Sequence, residues 1–225
     1  MKKTLITLAV LASSIASVQA TTVYDKDGTT LSVGGRAEVR GLFADSVEGS
    51  MQDKSRARIN VAGETQISEN LTGFGFVEYE LTGSDSIKNR YIYAGIGTQA
   101  GDFSYGKQDT ANVIVSDMTD IASYHSGQQQ YIGSSSDKQD NVFLYSADLF
   151  DSLTVQANYI AQEEKDFDAY AISALFSMDF GLDLAASYSD QDEQNQVTLG
   201  AAYTLNDLYL GATYALGSVD KNDDF

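Results

Sequence analysis

The chain has no cysteine, no proline and no tryptophan, and only one histidine, His125. Without cysteine there is no disulfide framework, so an exported fold must be held by packing or by a continuous hydrogen-bond ladder. Clusters of Cys and His with metal-ligand spacing are excluded as well. His125 stands in a stretch with no recognisable Ser, Asp and oxyanion arrangement, so no catalytic residue is assigned and the chain is read as a non-enzyme. No cofactor and no metal is called for, since no glycine-rich phosphate cradle follows a strand. The tail Asp220 to Asp224 lacks the glycine and terminal glutamate of a calcium loop. Positive charge is scarce too: 14 Lys and Arg against 32 Asp and Glu give a formal charge of −18. Phosphates would be repelled, which excludes nucleic acid as a partner. Beyond the N-terminal leader no run reaches eighteen apolar residues, so no transmembrane helix is expected.

What is present starts with that leader. Lys2 and Lys3 form a positive n-region, Leu5 to Ala16 is apolar, and Val18-Gln19-Ala20 ends it as a cleavage site should. Residues 1–20 are read as a cleaved signal peptide and residues 21–225 as the folded product. Removing two lysines and no acid takes the formal charge from −18 to −20. With 19 glycines and 14 tyrosines, the composition favours β-structure with tight turns over a helical bundle.

Period-two alternation runs through most of the chain. Leu31, Val33, Ala37 and Val39 oppose Ser32, Arg36, Glu38 and Arg40. Ala57, Ile59 and Val61 oppose Arg56, Arg58 and Asn60, and Val77, Tyr79 and Leu81 oppose Glu78 and Glu80. In the next strand Tyr91 and Tyr93 are expected outward, with Lys88 and Arg90 inward. Further on, Val155, Ala157 and Tyr159 alternate with Gln156 and Asn158, and Val197, Leu199 and Ala201 with Thr198 and Gly200. The count is about eleven strands. Short connections such as Asp179 to Gly181 and Asn206-Asp207 contrast with longer, charged ones near Asp45 to Asp53 and Glu163 to Phe167. That sorting suits an outer-membrane barrel and has no reason to exist in a soluble sandwich. One row per strand is apolar with aromatics near its ends, as lipid contact requires. The other carries charges that a dry sandwich core would not tolerate but a water-filled interior does. The fold class is therefore all-β, an antiparallel transmembrane β-barrel.

One segment breaks the alternation. From Gln108 to Asn141 the composition turns to Asp, Ser, Gln, Gly, Thr and Tyr. A loop that long in a compact domain is usually functional or disordered, and it is expected to fold back into the lumen and narrow it. Arg36, Arg58 and Arg90, with Lys138 and with Arg40 and Arg56 beside them, would form a positive ladder on one wall. The competing expectation is that each cation merely pairs with an inward acid such as Glu38, Glu78 or Glu80. Asp117 and Asp120 in the loop are the candidate negative counterpart, giving a transverse field across an aperture. The overall excess of acid points to a preference for cations.

Ser55-Arg56-Ala57-Arg58-Ile59-Asn60-Val61-Ala62-Gly63-Glu64-Thr65-Gln66-Ile67, followed by Asn70-Leu71-Thr72-Gly73-Phe74-Gly75, resembles strands two and three of the Gram-negative general diffusion porins. Arg90 to Gly95 and Phe103 to Lys107 are similar to the strands before that family's constriction loop, and Val23 to Gly28 to its mature N-terminus. The resemblance implies a sixteen-stranded barrel of the porin type, of which about eleven strands are counted, so a C-terminally truncated member is expected. It implies a homotrimer for the complete barrel and a place in the outer membrane among lipid and lipopolysaccharide. It also implies passive diffusion of small hydrophilic solutes and ions. On the matched positions, Arg36, Arg58 and Arg90 fall on the family's basic cluster, Lys138 near its fourth member and Asp120 on an acidic loop position. Ala122-Ser123-Tyr124-His125 departs from the family's usual loop tip. The alternative reading is an outer-membrane adhesin or structural barrel without an open pore; an outer-membrane hydrolase has only His125 to offer.

Overall fold

A computed structural model describes residues 20–82, 86–121, 129–220 and 223–225. The leader and the Ala122-Ser123-Tyr124-His125 loop tip lie outside the described residues, apart from Ala20. In chain order the elements are β1 (Thr21–Lys26), β2 (Thr29–Glu38), a small hairpin of β3 (Gly41–Leu42) and β4 (Gln52–Asp53), β5 (Arg56–Ser68), β6 (Leu71–Thr82), β7 (Ile87–Thr98) and β8 (Gly101–Gln108). The short helix α1 (Val113–Ser116) and a 3-10 turn at Gly133–Ser135 follow. Then come β9 (Gln139–Leu149), β10 (Leu153–Ile160), β11 (Ala169–Ser177), β12 (Leu182–Gln191), β13 (Gln194–Leu205), β14 (Leu208–Asp220) and β15 (Asp223–Asp224). Twelve of these strands have six residues or more, one above the expected count.

All but β3 and β4 join one antiparallel sheet in which each strand pairs with its neighbours in sequence. Among the described residues no ladder joins β1 to β15. The two faces divide as the alternation predicts. Ile59, Tyr79, Ile96, Phe143, Tyr159, Ile172, Leu199 and Tyr214 are exposed on one face, while Asn60, Glu78, Ser146, Asn158, Ser187 and Thr198 are buried on the other. A face that exposes its large apolar side chains and buries its polar ones is turned inside out relative to a water-soluble domain. It is what a cylinder in hydrocarbon requires.

The expected phase of β7 needs correcting. Glu80 pairs with Lys88 and Tyr79 with Asn89, but Glu78 then pairs with Tyr91, leaving Arg90 as an extra residue in a β-bulge. A bulge of one residue shifts the side-chain period beyond it. Tyr91 and Tyr93 therefore share the inner face with Glu78 and Phe76, and Ile92 and Ile96 point outward instead. Arg90 still reaches inward, to Glu78.

Of the long connection between the end of β8 at Gln108 and the start of β9 at Gln139, the described residues lie against the inner face of β10 to β14. Val115 and Met118 pack with Ala185 and Ala202, flanked by Ile114 and Leu175. The wall is lowered to receive them: a Cβ added at Gly211 would stand 2.2 Å from the Met118 carbonyl oxygen, and one at Gly200 2.6 Å from the Met118 sulfur. Polar contacts fix the rest. The Ala111 amide donates to Asn158 Oδ1 at 2.7 Å. Asn112 Nδ2 donates to the Gln129 and Ser135 carbonyls at 3.0 and 2.8 Å, while its Oδ1 accepts from Ser187 Oγ. Fully buried Gln196 accepts from the Tyr131 amide and Ser135 Oγ and donates to the Gln129 carbonyl. Tyr209 Oη donates to the Met118 carbonyl at 2.8 Å. These buried, satisfied groups make the segment part of the wall, since a buried polar atom without a partner would cost about 1–3 kcal/mol.

Candidate functional site

The inner face of β2, β5, β6 and β7 carries the charge. Register places Arg36 opposite Arg58 and Arg58 opposite Glu80. Like charges directly opposite each other destabilise a sheet unless acids intervene, and here three do. Arg36 Nε and Arg56 Nε each lie 2.8 Å from a Glu38 oxygen, and Arg40 also pairs with Glu38. Arg58 Nε donates to Glu80 at 2.7 Å. Arg90 Nε donates to Glu78 at 2.6 Å and its Nη1 stands 3.7 Å from Glu80. Arg56 also approaches Glu80, at 3.6 Å. The inward acids thus bind the cations individually, yet five guanidiniums share three carboxylates. The wall keeps a formal excess of two positive charges.

The loop meets this wall at its two ends. Tyr91 Oη donates to Asp109 at 2.9 Å, and the Lys138 amide donates to the same carboxylate at 3.1 Å. Lys138 Nζ pairs with Asp137 and lies 5.5 Å from the centre of the Tyr91 ring, with the Arg90 guanidinium 5.9 Å from that ring. Tyr91 is thus a shared cation–π platform, worth about 0.5–1 kcal/mol per contact at solvated sites. Burial pushes the Lys138 ammonium down to about 8; Asp109 opposes that shift, and Arg90 and Arg58 add to it. Burial also raises the Asp109 carboxyl, against the stabilising pull of Lys138. Asp117 follows α1, and burial together with the Asp109 and Asp120 charges pushes it up to about 7.

Arg36, Arg58 and Arg90 therefore come together on one wall, and Lys138, at the end of the loop, meets that wall at the Tyr91 ring beside Arg90. Asp117 sits on the loop within electrostatic reach of Asp109 and Lys138. Asp120 is exposed, its amide bonded back to the Asp117 carbonyl at 3.2 Å. Sequence reasoning missed Asp109 and Tyr91. Asp109 was detectable as the first acid after β8, in Lys107-Gln108-Asp109, where the loop must still be close to the strands that bear the arginines.

A model of the family described as Gram-negative porin matches residues 5–224. Outer membrane protein U of Vibrio vulnificus is 38% identical over 248 residues, covering 100% of this chain and 72% of that protein. Porin-like protein L of Photobacterium profundum is 39% identical over 251 residues, covering 99% and 74%. Among solved structures, OmpF of Salmonella typhi superposes with a TM-score of 0.78 at 24% identity, covering 88% of this chain and 68% of that one. An inner face lined with ions, an outer face lined with exposed apolar side chains, and a loop docked inside are thus found in a chain whose relatives are named as outer-membrane porins. The chain belongs to the Gram-negative porin family, whose members form water-filled β-barrel channels in the outer membrane.

Proposed function

We propose that the arginine wall and the Asp109–Asp117–Lys138 cluster facing it form the narrowest part of this channel, filtering small hydrophilic solutes and ions by size and charge as they diffuse passively. The observation that carries this reading is the attachment of the loop's two ends to the wall: Asp109 accepts from both Tyr91 and the Lys138 amide. That attachment sets fixed positive charge on β2 to β7 against the acids of the loop. Opposed charges across a narrow opening order water and dipolar solutes and penalise apolar ones, and charge placement with diameter sets selectivity. Without the two leader lysines the formal charge is −20, which favours cations at the mouths. Export would use residues 1–20 as a cleaved leader. The proposed assembly is a homotrimer in outer-membrane lipid, with the acidic connections near Asp45 to Asp53 and Glu163 to Phe167 meeting lipopolysaccharide phosphates through divalent ions.

Planar-bilayer recording tests the assignment. Ohmic steps are expected, and Arg58→Ala or Arg90→Ala should move the permeability ratio toward cations. Ohmic steps with a ratio unmoved by either substitution refute the filter. A folded protein that gives no steps supports the closed structural barrel or adhesin instead.

A further inference from the structure

Between the α1 segment and the inner face, toward the short turns, lies a chamber of about 450 Å³. Its roof is the α1 segment, through Val113, Ile114, Asp117 and Met118, and its walls come from β6 to β14. Five aspartates line it, Asp102, Asp109, Asp117, Asp148 and Asp183, and among the described residues no lysine, arginine or histidine does. Three wall acids stand beside short turns, each one residue in from a strand end: Asp102 in β8, Asp148 in β9 and Asp183 in β12. Between the acids, polar Ser104, Gln108, Ser146, Thr154 and Gln156 share the lining with an apolar patch of Phe74, Leu144, Leu175, Ala202, Ile114 and Met118. A second observation points to a ligand. Thr110 lines the same chamber, is 1% exposed, and its hydroxyl has no hydrogen-bond partner among the described residues.

We propose that this chamber is a binding site for organic monoamines that carry an aromatic or branched aliphatic group, a solute class that dwells there in transit while smaller ions pass. The ammonium would sit among the carboxylates with Thr110 Oγ1 as a neutral acceptor. Charge-assisted bonds of this kind are about twice as strong as neutral ones. The apolar end would cover the Phe74–Leu144–Leu175–Met118 surface and remove it from water, where burial is favourable at about 25 cal/mol per Å². The volume falls within the range of about 300–1,000 Å³ typical of small-molecule sites. Anions are repelled, and amines without an apolar group gain only the charge. Because the loop is the roof, a bound solute stands directly under the proposed filter and interrupts current. The inference rests on the channel reading only for that interruption, since binding itself needs no transport.

The test uses purified protein in planar bilayers at low salt with phenethylamine, ethanolamine and phenylacetate, beside calorimetric titration of phenethylamine into the detergent-solubilised protein. Phenethylamine is expected to give resolved current interruptions and heat of binding, and the other two neither. Asp148→Asn with Asp183→Asn should shorten the dwell about tenfold and Thr110→Val about threefold, from the loss of a charged and a neutral hydrogen bond. Glu69→Gln, exposed in the β5–β6 turn and outside the chamber, should leave the dwell unchanged. If the double variant fails to fold, Thr110→Val and the single Asp183→Asn carry the test. Equal interruptions by phenylacetate, or a dwell indifferent to these substitutions, would overturn the site. Ohmic steps with neither interruptions nor heat do the same and leave the channel standing. Heat without ohmic steps supports the site and removes the channel.

Discussion

Glu80 is the hub of the arginine wall, and changing it to glutamine isolates the wall's charge from its shape. Arg58 donates to Glu80 at 2.7 Å, and Arg56 and Arg90 stand 3.6 and 3.7 Å away. Glu80→Gln keeps one acceptor for Arg58 and removes one of three carboxylates, raising the formal excess from two positive charges to three. A unit charge held about 8 Å from a monovalent ion in water is worth about 0.5 kcal/mol. Screening over a Debye length of about 10 Å at 0.1 M salt reduces this to about 0.2 kcal/mol. The sign is opposite for the two ions, so the anion-to-cation permeability ratio should rise about twofold at 0.1 M, and about fivefold where screening is negligible. The assay is the reversal potential of purified protein in a planar bilayer under a KCl gradient, repeated at two ionic strengths. Arg90→Gln is the mirror variant and should lower the ratio by a similar factor. A correctly folded Glu80→Gln protein whose ratio stays put at low salt, or moves toward cations, would show that permeating ions do not pass this wall.

Four further outcomes are expected. Asp117, pushed up to about 7, loses its proton as pH rises through neutrality, and Lys138, pushed down to about 8, then loses its charge; cation preference should rise from pH 6 to pH 9 in reversal-potential recordings, with Asp117→Asn removing the lower part of that rise. The same shift makes the folded state hold its proton above the unfolded value of 3.8, so stability falls between there and about 7, and Asp117→Asn should raise the unfolding temperature at pH 8 while leaving it unchanged at pH 3. Gly211→Ala sets a Cβ against the Met118 carbonyl oxygen, a clash with backbone worth about 1–3 kcal/mol; faster amide exchange over residues 111–120 and a larger single-channel conductance should follow. Gln196→Leu strips the Tyr131 amide of its acceptor, at about 1–3 kcal/mol, while Ser135 Oγ keeps Ile132 and the Gln129 carbonyl keeps Asn112 Nδ2; it should loosen residues 129–135 in the same exchange experiment without disturbing the strands.

Most of the fold was legible because a barrel in hydrocarbon imposes one rule on every strand. Ala57, Ile59 and Val61 against Arg56, Arg58 and Asn60 fix both the strand and its outward face, and nothing later in the structure competes with that choice. What the rule cannot show is a change of phase. Arg90 and Tyr91 are adjacent, both suit a wet interior, and either would satisfy the alternation alone. The bulge that turns both inward is set by pairing with β6, through Glu78 and Glu80, and pairing register is not written in the composition of β7. Tyr91 was consequently assigned to lipid, and with it went the partner that identifies Asp109.

The position of the loop has a simpler physical cause, and it was open to reading in the side-chain volumes. Inner positions of β2, β5 and β6 hold Arg36, Glu38, Arg56, Arg58, Glu78 and Glu80, long side chains that fill the space in front of the sheet. Inner positions of β11 to β14 hold Ala171, Ser173, Ala185, Ser187, Thr198, Gly200, Ala202 and Gly211, which leave that space open. A segment carrying Val115 and Met118 gains apolar contact only against the second wall, and it excludes no ion pair by lying there. Its polar backbone then needs partners inside the lumen, which Asn158, Ser187, Gln196 and Tyr209 supply from that same wall. The charged wall is left uncovered because it is too full to bind the loop except at its ends. The asymmetry between long ionic residues early in the chain and small ones late in it thus determines both where the loop docks and which side of the opening carries the arginines.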